Sequence, residues 1–158
     1  MKRKKIFSAH RLAKIVSSLK KKGKAAVFTN GCFDILHVGH VSYLNKAKQL
    51  GDILIVAVNS DSSVKSIKAK NRPINTLKDR MKIISCLESV DYVCSFNEST
   101  PLSLIKKIVP SVLVKGADWK KKDVIGADFV KNNGGRVVCI KLEKGHSTTK
   151  LIRKIVAL

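Results

Sequence analysis

The chain has 158 residues, an apolar fraction of 44% and a formal net charge of +21 at pH 7. This length fits one domain with a hydrophobic core, and the apolar content excludes a chain that is disordered throughout. No apolar run approaches the roughly 20 residues that a membrane-spanning helix needs, so we expect no membrane partner.

Lysine dominates the charge, because only six of the 32 basic residues are arginine. The lysines are spread along the chain and aromatic residues make up only 5%, which favours solvated faces over a specific nucleic-acid surface. The four cysteines are scattered without a C-x-x-C pair, and the basic N-terminus lacks the apolar stretch of a signal peptide. We therefore predict reduced thiols and a cytoplasmic protein.

Helical and strand patterns alternate along the chain. Helices are predicted over 8–22, 38–50, 76–89, 100–109, 124–132 and 147–156, and strands over 25–30, 53–58, 92–96, 112–114 and 137–140. The segment 62–75 is polar and is expected to be a loop or a short helix. Thr76 and Asp79 have capping-box spacing, Thr100 and Pro101 are expected to begin a helix, and Ser147 is expected to cap the last one. This order predicts an α/β fold, a single Rossmann-like doubly wound domain with about five parallel strands.

A histidine motif stands where the first strand meets the following helix. His37 and His40 enclose Gly39 in the pattern H-x-G-H, at the expected first turn of that helix. Helix N-termini present unpaired N–H groups, glycine permits close approach of an anion, and imidazoles donate to phosphate oxygens. The pattern indicates a phosphate site. Buried or capping histidines are the structural alternative, and a zinc site would need further ligands.

Four more polar clusters follow later strands or begin helices. Asn59 and Asp61 follow the second strand, where Asp61 could bind a sugar hydroxyl, orient a basic group or only form a turn. The remaining clusters are a basic loop (Lys65, Lys68, Arg72, Arg80), a strand end (Lys115, Gly116, Asp118, Trp119) and the start of the last helix (Gly145, His146, Ser147, Thr148, Thr149). Basic side chains suit phosphates, and hydroxyls at a helix start suit a phosphate or a base.

The stretch 29–44 resembles the H-x-G-H nucleotidyltransferases, a superfamily that includes cytidylyltransferases for glycerol 3-phosphate and ethanolamine phosphate. Within it, the chain is similar to the adenylyltransferase domains that act on D-glycero-β-D-manno-heptose 1-phosphate. The resemblance covers about residues 24–155, and the segments that carry it are 29–37, 56–61, 71–75, 79–81, 114–119 and 145–149. It implies a nucleotidyltransferase domain over 24–158, preceded by a basic segment and helix over 1–23.

The resemblance also implies roles for particular residues. The implied catalytic residues are His37, His40, Lys68 and Arg80. The implied nucleotide-binding residues are Thr29, Asn30, Gly31, Phe33, His37, Gly39, His40, Lys115, Gly116, Ser147, Thr148 and Thr149. The implied sugar-phosphate-binding residues are Cys32, Asp34, Asn59, Asp61, Lys65, Arg72, Asp118 and Trp119.

The implied reaction transfers AMP from ATP, with Mg²⁺, to heptose 1-phosphate and releases pyrophosphate. A separate sugar kinase is expected to supply the sugar phosphate, and relatives commonly form homodimers. Three alternatives remain: a cytidylyltransferase for a small polyol or amino-alcohol phosphate, a basic nucleic-acid-binding module, and an inactive nucleotide sensor. Leu142 and Glu143 stand where the glycerol-phosphate relatives have an Arg-Thr-Glu lead-in, and this departure disfavours the cytidylyl branch.

Overall fold

The computed structural model describes residues 4–68, 71–116, 123–143 and 145–158. Its strands are β1 (Ala26–Gly31), β2 (Ile53–Asn59), β3 (Tyr92–Phe96), β4 (Val112–Gly116) and β5 (Arg136–Ile140). All neighbouring strands pair in parallel, in the order β3-β2-β1-β4-β5. The predicted α/β fold, a single domain with a five-stranded parallel sheet, is confirmed.

Helices connect the strands. In the described ranges they are α1 (Ala9–Lys21), α2 (Val38–Lys48), α3 (Asp61–Ile67), α4 (Leu77–Ser85), α5 (Leu102–Ile108), α6 (Ala127–Asn132) and α7 (Thr148–Val156). Thr76 and Asp79 interact as their spacing predicts: the Thr76 hydroxyl accepts from the Asp79 N–H as an N-cap and donates to the Asp79 carboxylate. Ser147 caps α7 as predicted, accepting from the Lys150 N–H.

Several boundaries differ from the sequence prediction. Helix α4 ends at Ser85 rather than at residue 89, and α5 is capped by Pro101 itself rather than by Thr100. Helix α6 begins at Ala127 instead of 124, because Gly126 adopts a left-handed conformation (φ 87°) that interrupts the helical pattern. The segment after β2 forms the short helix α3 and then a loop.

The sheet divides the hydrophobic core into two layers. Side chains alternate along β1, so Phe28 packs in the layer with Leu12 and Val16 of α1, whereas Val27 packs in the layer with Leu44 of α2. These five side chains are at most 1% exposed. Because β1 and β2 are buried on both faces, they read in the sequence as continuous apolar runs.

The central strand determines where the chain changes direction. From β1 the chain first builds the sheet outward through β2 and β3, and it then crosses back to add β4 and β5 on the other side. The carboxyl ends of β1 and β4 therefore form the switch point at which ligands bind in open α/β sheets. Among the described residues, no helix has both the length and the apolar character needed to cross a membrane.

Candidate active site

A cleft opens at this switch point. Its volume is about 590 Å³, and its lining comes from the end of β1, the start of α2, the end of β4 and the start of α7. The Lys115 ammonium on β4 donates to the Asn30 side chain on β1 at 2.5 Å, so the two strand ends are joined across the mouth of the sheet. This position agrees with the general location of ligand sites in doubly wound folds.

The two histidines of the motif lie together at the start of α2. His37 is the N-cap residue in an extended conformation, but its side chain makes no capping hydrogen bond. The rings of His37 and His40 stack with centroids 3.9 Å apart, and Phe33 packs against His40 at 5.4 Å. A Cβ placed on Gly39 would lie 3.0 Å from Nδ1 of His37, so glycine leaves the space that this ring occupies. The local fold therefore directs both imidazoles into the cleft.

Burial determines the charge state of these imidazoles. Desolvation, with a smaller contribution from His37, lowers the pKa of His40 from 6.5 to about 4. Desolvation, followed by the charge of His146, also lowers the pKa of His37. Both Nδ1 atoms are buried without a hydrogen-bond partner among the described residues. Two neutral imidazoles, each with a buried Nδ1 that lacks a partner, thus line the cleft.

The end of β1 is shaped around Phe33. This residue has a positive φ of 46°, a left-handed conformation that is unfavourable for a side chain of this size. A Cβ on Gly31 would lie 3.0 Å from the Phe33 ring, so the glycine accommodates it. Thr29 is fully buried and shares a 2.7 Å hydrogen bond with the Tyr43 hydroxyl of α2. Thr29 thus joins β1 to α2 and is absent from the cleft lining, whereas Gly31 and Phe33 are part of it.

Asp34 holds the loop that precedes α4. Its carboxylate accepts from the N–H groups of Ile74 and Asn75 and forms an ion pair with Arg72 at 2.5 Å. Burial would raise the pKa of Asp34, but the hydrogen bonds from Asn75, Ile74 and Arg72 outweigh it and lower that pKa. Asp34 and Arg72 both contribute to the cleft wall, and so does Cys32. Burial, the largest influence on that thiol, raises the pKa of Cys32.

Arg80 occupies a buried position behind the cleft. Its side chain is fully buried, and it donates to the backbone carbonyls of Cys32, Asn59 and Asn75. It also forms an ion pair with Asp61 at 2.7 Å. Its nitrogen atoms are thus engaged by the protein, and neither Arg80 nor Asp61 belongs to the cleft lining. Arg80 ties the ends of β1 and β2 to the loop before α4.

The basic residues predicted for phosphate binding separate into two groups. Lys68, Arg72 and Lys115 line the cleft. Lys65 is exposed on α3 and does not line it. Asn59 and Gly116 do line it, at the ends of β2 and β4. Asp118 and Trp119 lie outside the described residues.

The start of α7 closes the other side of the cleft. Ser147, Thr148 and Thr149 all contribute to its wall, and the Thr148 hydroxyl donates to the Ile35 carbonyl at 3.3 Å. This contact holds the N-terminus of α7 beside the N-terminus of α2. Two helix ends with positive partial charge therefore face the same volume. Across the described ranges, no group of three or more histidine, cysteine and carboxylate side chains is arranged to hold a metal ion.

Sequence reasoning gave no role to several residues of this wall. His146 lines the cleft and stacks on His37 with centroids 6.4 Å apart. Tyr43 and Glu143 line it as well. The sequence signal for His146 was its place between Gly145 and a helix cap, beside hydroxyl residues that were assigned to the nucleotide. Nothing in the local pattern marks Tyr43, which comes to the cleft wall only through the packing of α2 on β1.

Comparison with known proteins agrees with this geometry. Residues 28–154 match the family model described as cytidylyltransferase-like. The chain is 51% identical over 150 residues to the bifunctional protein HldE of Salmonella arizonae, and equally to that of Salmonella paratyphi B. The alignment covers 95% of this chain and 31% of those proteins, so the chain spans about a third of their length.

A solved structure has the same architecture. The lipopolysaccharide core biosynthesis protein of Thermoplasma volcanium matches with a TM-score of 0.64 and 28% identity, over 78% of this chain and all of that one. The family match includes both histidines of the cleft and the start of α7. The nucleotidyltransferase resemblance predicted from the sequence is confirmed: the chain belongs to the cytidylyltransferase-like family.

Proposed function

We propose that this protein transfers AMP from ATP to D-glycero-β-D-manno-heptose 1-phosphate, forming ADP-heptose and pyrophosphate. The family match and the switch-point cleft support nucleotidyl transfer. We assign ATP as the nucleotide and heptose 1-phosphate as the acceptor because several sequence segments resemble those of the heptose-phosphate adenylyltransferases. The similarity to the two HldE proteins and to a lipopolysaccharide core biosynthesis protein supports the same choice.

The observation that carries the proposal is the pair of half-buried imidazoles at the start of α2. His37 and His40 line the cleft between two helix N-termini, and the Nδ1 atom of each ring is buried without a hydrogen-bond partner among the described residues. A polyphosphate placed there would accept hydrogen bonds from the imidazoles and would raise their pKa values by its negative charge. A site for a neutral ligand would have no need of this arrangement.

The chemistry requires little of the protein beyond alignment and charge neutralisation. The phosphate monoester of the sugar is largely ionised at pH 7, because its second pKa is about 6, so no general base is needed. One of its oxygens forms a bond to the α-phosphorus of ATP. The bond from that phosphorus to the bridging oxygen breaks, and the electron pair leaves with pyrophosphate. Catalysis then consists of orienting two anions and stabilising the leaving group.

The proposed contacts divide between nucleotide and sugar phosphate. His37 and His40 hold the α- and β-phosphates, Ser147, Thr148 and Thr149 grip the nucleotide, and Asn30, Gly31, Phe33, Gly39, Lys115 and Gly116 complete that side of the cleft. Cys32, Asp34, Asn59, Lys68 and Arg72 face the sugar phosphate.

Thr29, Asp61 and Arg80 are proposed as positioning residues, because their polar atoms bind other parts of the protein. Asp34 of the cleft wall shares this role, since its carboxylate is bound by Arg72 and by backbone N–H groups. Mg²⁺ would arrive on the triphosphate, held by phosphate oxygens and water.

A substrate panel with pyrophosphate detection tests the proposal. Each of ATP and CTP is combined with heptose 1-phosphate, glycerol 3-phosphate and ethanolamine phosphate. We expect pyrophosphate and ADP-heptose only from ATP with heptose 1-phosphate. Release with CTP and a polyol phosphate would replace the proposal by the cytidylyltransferase alternative, and no release from any pair would overturn it.

Histidine variants test whether this cleft is the site of nucleotidyl transfer. His37→Ala and His40→Ala should lower the rate of pyrophosphate release by about 10²–10³-fold, the usual effect of removing one preorganised donor to developing charge. His10→Ala, an exposed histidine on α1, is the matched control and should retain the wild-type rate. Retention of wild-type rates by folded His37→Ala and His40→Ala proteins would disprove the assignment.

A further inference from the structure

A third histidine lies beside the pair described above. His146 precedes the cap of α7, and its ring stacks on that of His37 with centroids 6.4 Å apart and an interplanar angle of 26°. His37 in turn stacks on His40 at 3.9 Å and 28°. The three imidazoles therefore form one row from the start of α7, across the start of α2, into the cleft that all of them line.

The backbone brings His146 to this position. Gly145 adopts a positive φ of 86°, a conformation that turns the chain just before the histidine. A Cβ placed on Gly39 would lie 3.3 Å from the Cβ of His146, so the glycine of the motif makes room for this residue as well as for His37. The Thr148 contact with the Ile35 carbonyl fixes the same approach from the other side of the loop.

Exposure differs along the row. His37 and His40 are half-buried, whereas His146 is exposed at the open end of the cleft. The interior of the row lies against Phe33, and its open end lies at the N-terminus of α7. A triphosphate whose α-phosphate meets His40 and His37 would extend its outer phosphates along the row toward His146. There the N-terminus of α7 adds N–H groups and a positive partial charge.

The row is unsuited to a metal. Stacked rings place their nitrogen atoms side by side in nearly parallel planes, whereas a tetrahedral ion needs nitrogen atoms that converge on one point. The arrangement suits an extended anion, which accepts one hydrogen bond from each ring in succession. The rings of His37 and His146 are 6.4 Å apart, and at this distance the charge of His146 adds to burial in lowering the pKa of His37.

We propose that His146 is a catalytic residue that contacts the outer phosphates of the nucleotide and stabilises pyrophosphate as it leaves. The assignment deepens the proposed function and rests on it, since it presumes that pyrophosphate departs from this cleft. His146 adds a third imidazole donor to the two of the H-x-G-H motif. The bond changes are those already given, and His146 donates a hydrogen bond to the leaving oxygens without forming a covalent bond.

Two measurements on His146→Ala and His146→Gln test the assignment. The first is the steady-state rate of pyrophosphate release, with KM for the sugar phosphate measured separately. We expect kcat to fall at least about tenfold in His146→Ala, with KM for the sugar phosphate unchanged, since a lost donor to the leaving group acts on the transition state. His146→Gln keeps a donor and should retain more activity than His146→Ala.

The second measurement is calorimetric binding of pyrophosphate alone, which needs neither a sugar nor a base. Affinity should fall at least about tenfold in His146→Ala, by analogy with other charge-assisted contacts. His10→Ala, an exposed histidine outside the cleft, serves as the control for both measurements and should match the wild type. Thermal melting of each variant checks that it is folded.

The outcomes separate this inference from the proposed function. If the wild type is inactive throughout the substrate panel but His146→Ala still weakens pyrophosphate binding, the substrate proposal fails and the contact stands. If the wild type is active and His146→Ala matches it in kcat and in pyrophosphate affinity, the inference is overturned and the function stands. A wild type that binds no pyrophosphate overturns the inference outright.

Discussion

His40 shows how packing prepares a side chain for an anion. Its imidazole is confined between Phe33 and His37, and desolvation lowers its pKa to about 4. The ring is therefore neutral in the free protein at pH 7 and gains a proton readily only when negative charge arrives. The same side chain thus makes the free protein sensitive to acid and, under the proposed function, suits the cleft to phosphate.

The first prediction concerns acid stability. The pKa of His40 is about 4 in the folded protein and near 6.5 when unfolded, so below pH 6.5 the unfolded chain binds the extra proton. The stabilising contribution of neutral His40 is full above pH 6.5 and is lost as the pH falls toward 4. Between pH 7 and pH 4.5, the wild type should lose about 1–3 kcal/mol more unfolding free energy than His40→Gln, allowing for partial exposure.

Urea denaturation at both pH values gives this difference, and His10→Gln supplies the baseline for an exposed histidine. Equal losses for the wild type and for His40→Gln would contradict the burial argument.

The second prediction concerns Arg80, whose role is structural. Replacing it by methionine removes the donors to the carbonyls of Cys32, Asn59 and Asn75 and leaves Asp61 without its partner. Arg80→Met should lower the unfolding free energy by about 3 kcal/mol, the scale for a broken buried charge network.

Arg136→Met is the matched control, because Arg136 is exposed and, among the described residues, its guanidinium donates to the Leu50 carbonyl at the protein surface. Urea unfolding should show a wild-type midpoint for the control and a clearly lower one for Arg80→Met. Coincident curves for all three proteins would show that the buried network adds nothing to stability.

At the scale of elements, the start of α2 lacks the usual features that stabilise a helix N-terminus. It has no side-chain cap and no acidic residue in its first turn, and it contains Gly39, a poor helix former. Helix α4, which lies away from the cleft, instead has a Thr76 side-chain cap and the acidic Asp79 in its first turn. The contrast agrees with the proposed function, in which the N-terminus of α2 binds phosphate through its backbone N–H groups.

The third prediction tests ligand contact and helix stability separately at the start of α2. In Gly39→Ala, the new methyl group would lie 3.0 Å from Nδ1 of His37 and 3.3 Å from Cβ of His146. The change should leave the melting temperature unchanged or raise it, because alanine gains up to about 1 kcal/mol of helix propensity over glycine. It should weaken pyrophosphate binding, because both imidazoles are displaced.

Asn45→Ala, an exposed position on the same helix, gives the propensity gain without approaching the histidines. Calorimetry should show wild-type pyrophosphate affinity for this control. Undiminished affinity in Gly39→Ala would mean that the close approach of the rings is not required.

At the scale of the whole molecule, the charge of +21 acts against compactness. Lys48, Arg72, Arg80 and Lys131 form ion pairs in the described ranges, and the whole chain has only 11 acidic residues against its 32 basic ones, so the protein leaves most of its positive charge without an acidic partner. Self-repulsion of this size destabilises the folded state and attracts anions of any kind.

The fourth prediction is a salt dependence of stability. Raising sodium chloride from 20 to 300 mM shortens the screening length from about 20 Å to about 6 Å, so repulsion between the surface lysines weakens and the melting temperature should rise by several degrees. Differential scanning fluorimetry at the two salt concentrations measures the melting temperature. In the same salt, binding to random DNA should be lost, with or without His37 and His40, if that binding is only electrostatic. A melting temperature that falls with salt would contradict the repulsion argument.

The sequence by itself determined the fold class and the place of the site. Apolar runs such as 53–58 predicted buried parallel strands, and the H-x-G-H motif between the first strand and the next helix predicted a site at the carboxyl ends of the strands. Caps with local hydrogen bonds, such as Thr76 with Asp79, were also readable, because their partners are three residues apart. The start of α6 could not be predicted from the sequence, because the left-handed conformation of Gly126 interrupts the helical pattern.

The tertiary structure alone decided which polar side chains face the cleft. Arg80 and Lys68 look alike in the sequence, yet one is buried in a network of carbonyls and the other lines the cleft. His146 is 109 residues from His37 and joins it only because the start of α7 packs beside the start of α2. Local patterns determine what a segment forms, whereas contacts between distant segments determine which of its groups remain available to a ligand.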